Sequence, residues 1–72
     1  MITIRIFEEP AEGREPDLLG EIQSEWFLAA GDIIVLEGDR FAKVTEARRT
    51  FSVPTSTWSQ VVYTKDALDI PG

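Results

Sequence analysis

The sequence predicts a small all-β domain, with about five short strands arranged as an antiparallel barrel or as two packed sheets. Three observations carry this expectation. Apolar residues alternate with polar ones at Ile2, Ile4 and Ile6, and again from Ile22 through Ser24 and Trp26 to Leu28. Ile33-Ile34-Val35-Leu36 is an unbroken apolar run of strand length, which suits a strand covered on both faces. Turn-forming residues divide the chain between these runs, at Pro10, Gly13, Pro16, Gly31, Gly38 and Pro54.

The elements follow in order. Ile2 to Phe7 places its isoleucines on one face and Thr3 and Arg5 on the other, the pattern of a half-buried strand. Residues 8–19 are polar and broken by Pro and Gly, so they read as an acidic surface loop. Within it, Asp17-Leu18-Leu19 can close as a short helical turn. Residues 20–28 form a second amphipathic strand. Ile22, Ser24, Trp26 and Leu28 share one face, and Phe27 falls among Glu21, Gln23 and Glu25 on the other. After the 33–36 run, Glu37-Gly38-Asp39-Arg40 reads as a tight hairpin turn, because Gly38 accepts positive φ and Asp39 tolerates it.

Phe41 to Thr45 is the return strand. Phe41 and Val44 have opposite parity, so a bulge lies between them or the segment is not a strand. The alternative is an α+β fold with a helix over 39–51. Phe41, Val44, Ala47 and Phe51 lie near helical spacing, and Asp39 can serve as the N-cap. Residues 50–59 are rich in Ser and Thr and contain Pro54, and read as a loop. Val61, Val62 and Tyr63 mark a last strand, and 66–72 is a tail. The whole of 1–72 is one small β domain without repeats or linkers.

This order resembles an SH3-like barrel: a strand, a long polar loop, three strands joined by tight turns, and a final strand. SH3 domains grip proline-rich ligands between aromatic residues. The matching residues are missing here. The first strand carries no tyrosine, Trp26 is followed by Phe27 and not by a second Trp, and Tyr63 is the only tyrosine.

Composition narrows the function. At 72 residues, a core of this size gives about 3–5 kcal/mol of net stability. Small scaffolds commonly add disulfides, metals or self-association, so oligomerisation is expected more often than for a larger domain. There is no cysteine and no histidine. Disulfides, thiolate metal sites and the commonest general acid/base are therefore excluded. Neither Glu8-Glu9 nor the wider acidic loop has the Asp- and Gly-based spacing of a calcium loop, and no glycine-rich phosphate cradle occurs. The expectation is a non-enzyme with no cofactor and no metal. No apolar run approaches the ~20 residues of a membrane span, and the N-terminus lacks a signal-peptide pattern. The expected location is the cytoplasm, with no membrane partner.

The net charge is −6, with seven acids against two bases in residues 1–25. Such a surface repels phosphate backbones and disfavours nucleic acid. The opposing feature is a basic cluster, Arg40, Lys43, Arg48 and Arg49, near Phe41 and Phe51. A small barrel can bind single strands, or a small ligand, with such cations and aromatic platforms. The favoured expectation is different: a protein-interaction, structural or adaptor module that binds another protein or itself. Its candidate contact residues are Phe7, Phe27 and Trp58, large apolar side chains set among polar neighbours.

Overall fold

The computed structural model of the chain describes residues 1–9 and 12–67. Five strands follow one another: β1 (Ile2–Glu8), β2 (Leu18–Ser24), β3 (Ile33–Leu36), β4 (Arg40–Ser52) and β5 (Thr57–Asp66). They form one sheet in the order β2-β1-β5-β4-β3, curled into a half-barrel. The all-β expectation holds, and the helix over 39–51 gives way to β4. One pairing departs from an all-antiparallel sheet, since β1 runs parallel to β5. A parallel pair needs a crossover connection, and here β2, β3 and β4 all lie within it.

The core sits on the inner face of the curl. Ile4, Ile6, Val44 and Val62 are buried there, with Ile2, Leu19, Leu28, Ile34 and Ala47 against them. Alternation puts Arg5 of β1 on the outer face, between two buried isoleucines. Each fully buried Ile or Val contributes roughly 1.5–3 kcal/mol, and the set is small, as the chain length implies.

The ladder of β4 and β5 shifts by one residue between Val44 and Glu46. Thr45 is the extra residue, and its hydroxyl donates to the Tyr63 carbonyl at 3.1 Å. Before the bulge, Ala42 and Val44 face inward; after it, Ala47 stands opposite Val62. On a straight ladder Glu46 would take that place and bring a carboxylate into the core, which is costly. The parity conflict between Phe41 and Val44 thus has a simpler answer. Phe41 stands opposite Val35 on the outer face, and the bulge comes just after Val44.

Several boundaries move. Leu18 pairs with Phe7, so β2 begins inside the expected 8–19 loop, and Leu18-Leu19 is strand and not a helical turn. Residues 50–59 are not a loop. β4 and β5 stay paired through Phe51 and Trp58 to Ser52 and Thr57, and only Val53–Ser56 forms the turn. Thr is a good strand residue on an exposed face, and Pro54 lies where no ladder donor is needed. The β3–β4 turn is as expected, with φ of 76° at Gly38 and 57° at Asp39. Of the 66–72 tail, Asp66 belongs to β5 and the Ala67 N–H donates to the Phe41 carbonyl at 2.9 Å; the remainder lies outside the described residues.

The second strand is also shorter than its apolar pattern. It stops at Ser24, whose hydroxyl accepts from the Trp26 N–H at 3.2 Å and donates to the Trp26 carbonyl at 2.7 Å. This local side-chain turn competes with the ladder and turns the chain off the sheet. Because β2 and β3 are opposite edges of the sheet, residues 25–32 must span its width. Four strand spacings amount to about 19 Å when flat, within reach of eight extended residues at about 3.3 Å each. The segment crosses the inner face as a strap. Leu28 is pinned at its backbone to Gln60 in the central strand, and Gly31 and Asp32 bond to the backbone of Val44 at 2.8 Å each.

Candidate functional site

Two surfaces stand out, an aromatic cluster where the β4–β5 hairpin meets the strap, and an open seam between the two edge strands.

The cluster is built by register. Phe51 and Trp58 are direct cross-strand neighbours, with ring centroids 4.9 Å apart. The strap lays Phe27 edge-on against Trp58 at 5.6 Å, and Arg49 places its guanidinium 4.4 Å from the centre of the Phe27 ring. Such aromatic pairs contribute about 0.5–1.5 kcal/mol each beyond burial. The cluster is nevertheless far from covered. Trp58 is 47% exposed and Phe51 44%, and Val53 at the hairpin turn is exposed as well.

Of the residues singled out by sequence, Phe27 and Trp58 therefore come together. Phe27 is not on the polar face of a strand, as its spacing suggested. It is half-buried in the strap and turned back onto the sheet. Phe7 lies elsewhere, on the outer face beside Tyr63 at 5.9 Å, where Arg48 approaches the Tyr63 ring at the same distance. Phe51 was missed because the Ser/Thr composition of 50–59 suggested a loop. Its symmetric placement with Trp58 about Pro54-Thr55 was the available signal.

The four cations do not form one groove. Lys43 and Arg48 stand opposite Lys65 and Val61 on the outer face, whereas Arg49 lies over Phe27 on the inner one. Arg40 is paired with Asp66 at 3.1 Å and Arg48 with Glu46 at 3.0 Å.

Gln60, 1% exposed, was also missed. Its side chain accepts from the Leu28 N–H at 2.8 Å and donates to the Leu28 carbonyl at 2.7 Å, which holds the strap and hence Phe27 in place. A glutamine among strand residues carries no sequence mark of such a role. Among the described residues, no buried side-chain nitrogen or oxygen lacks a partner, and no three carboxylates converge on a point that could hold a metal ion.

The seam lies beyond the strap. No Cα of β2 comes within 8 Å of one of β3, so the curled sheet does not close on itself. A cavity of about 620 Å3 fills the gap, with Ile6, Leu19, Ile22, Ile34 and Leu36 on its walls. None of the strap residues reaches it.

Comparison with known proteins adds no identity. No family model matches the chain, and neither a curated protein nor a solved structure is significantly similar to it.

Proposed function

We propose that the chain is a non-catalytic interaction module that binds another protein, or a second copy of itself, through the aromatic cluster of Phe27, Phe51 and Trp58. The observation that carries this reading is the half-exposed state of Phe51 and Trp58, two large rings held by strand pairing. Rigid aromatic residues lose little entropy on contact and commonly anchor interfaces. Small size points the same way, because an 8.1 kDa chain gains stability by burying such a surface against a partner. In this reading the curled sheet is an SH3-like adaptor scaffold acting in the cytoplasm.

Binding of single-stranded nucleic acid fits less well. Arg49 over Phe27 resembles a stacking platform, but two of the other three cations are ion-paired and Lys43 lies on the opposite face. The two readings differ in salt dependence, since phosphate contacts weaken steeply with salt and apolar contacts do not.

The test is molar mass by light scattering over a concentration series at low and high salt, followed by capture of partners from a host lysate by immobilised protein. Each is run for the wild type and for folded Phe51→Ala and Trp58→Ala variants. Association that survives high salt and is lost in both variants supports the reading. Association equal in wild type and variants, or abolished by salt alone, overturns it.

A further inference from the structure

The seam has three properties that an unpaired sheet edge seldom combines. Both of its borders are strand edges, and among the described residues no further backbone hydrogen bond reaches the outward side of either. Its floor is apolar. Its two borders also stand farther apart than paired strands do, with one cavity between them. Two paired strands lie about 4.7–4.9 Å apart, so an intervening strand needs about 9.5 Å. β2 and β3 are separated by more than 8 Å, yet both line the same cavity.

The rim decides what can enter. Glu21 and Glu37 line the opening, and Asp17, Glu25 and Asp39 flank the two strands. The one cation on the rim, Arg40, is already paired with Asp66, and Glu21 has an exposed partner in Arg5 at 3.3 Å, so Glu37 is the acid of the opening without an ion pair among the described residues. Acidic side chains along an edge repel an edge of like charge. A second copy of this chain, at a net charge of −6 and with the same acids on its own edges, is therefore a poor occupant. An extended segment with basic side chains suits the rim.

We propose that the seam between β2 and β3 receives one extended segment of a partner polypeptide, apolar at alternate residues and basic at the others. The segment adds to the sheet as a sixth strand and closes the barrel. Its backbone pairs with both edges, its apolar side chains enter the cavity over Ile22 and Ile34, and its basic side chains meet Glu21 and Glu37. Strand addition of this kind takes its affinity from main-chain hydrogen bonds and its specificity from alternate side chains. This site is separate from the aromatic cluster and does not depend on it.

The probe is a capped peptide as long as β2, seven residues, in which Ile and Lys alternate. Amide hydrogen exchange is followed by NMR with and without it. The expected result is slowed exchange on both Leu18–Ser24 and Ile33–Leu36. The same peptide with a central Pro, or with Glu for Lys, is expected not to bind. Glu37→Lys, in an exposed turn where folding is not at risk, is expected to weaken binding about tenfold, or roughly 1.4 kcal/mol. Ile22→Lys is expected to weaken it as much, and Trp58→Ala to leave it unchanged while abolishing contact through the aromatic cluster. Four results overturn the proposal: no slowing at either edge, slowing confined to the β4–β5 hairpin, equal binding of the Glu peptide, or protection of the edges without peptide that grows with protein concentration. The last assigns the seam to a second copy.

Discussion

Replacing Gln60 with Ala tests the strap and, through it, the aromatic cluster. The substitution removes two hydrogen bonds of 2.8 and 2.7 Å to the backbone of Leu28. Each contributes about 1 kcal/mol net, and a buried group left unpaired costs about 1–3 kcal/mol. Leu28 is only half-buried, so water reaches part of its backbone once the strap loosens, and the lower end applies. The expected loss is about 2–3 kcal/mol, a large part of the roughly 3–5 kcal/mol available to a domain of this size. At about 4–8 °C per kcal/mol, the melting temperature drops by about 10–20 °C.

Urea unfolding followed by far-UV circular dichroism measures the stability. Near-UV circular dichroism in the absence of urea reports the Phe27–Trp58 contact separately. The strap account requires the near-UV signal to fall while strand content remains. A loss under about 0.5 kcal/mol, the level of an ordinary surface substitution, refutes the reasoning, as does an unchanged near-UV spectrum. Gln60→Glu adds a pH signature. Its carboxyl group is buried and one oxygen faces the Leu28 carbonyl; both disfavour the charged form, and against the single Leu28 N–H that favours it they raise its pKa above the free value of about 4.3. The folded state then holds the proton more tightly than the unfolded state. Relative to wild type, the variant is therefore most stable below about pH 4 and loses stability as pH rises through the folded pKa.

Other expectations follow from the same packing. Ile4→Ala empties a fully buried site, costs about 2–5 kcal/mol, and is expected to leave a largely unfolded chain by circular dichroism at room temperature. Gly38→Val forces a β-branched residue to φ 76° in the β3–β4 turn; a loss of at least about 1 kcal/mol in urea unfolding is expected, and a neutral result means that the turn adopts another conformation. Arg5→Gln breaks an exposed pair with Glu21 at 3.3 Å, and thermal melts are expected to move by less than the equivalent of about 1 kcal/mol, less still at high salt.

Much of this architecture is legible in the sequence, for local reasons. Period-two alternation at Ile2, Ile4 and Ile6 fixes β1 and its buried face, because a strand exposes alternate residues whatever its neighbours. Gly38-Asp39 fixes the β3–β4 turn, because few residues tolerate two consecutive positive φ angles. The lack of cysteine and histidine removes whole classes of chemistry without reference to any fold.

The rest is decided by partners distant in the chain. The alternation from Ile22 to Leu28 continues past Ser24, yet the strand does not, because Ser24 caps Trp26 and Gln60, 32 residues beyond Leu28, captures the strap. The parallel pairing of β1 with β5 puts β2 and β3 at opposite edges of the sheet. That strand order creates both the strap that assembles the aromatic cluster and the seam that stays open beside it. Neither has a local signature, because each arises from segments that meet only after the sheet has formed. Sequence therefore determined the all-β class, the first strand with its buried face and the β3–β4 turn. Tertiary structure alone decided which exposed residues face one another, and so where this protein can make contact.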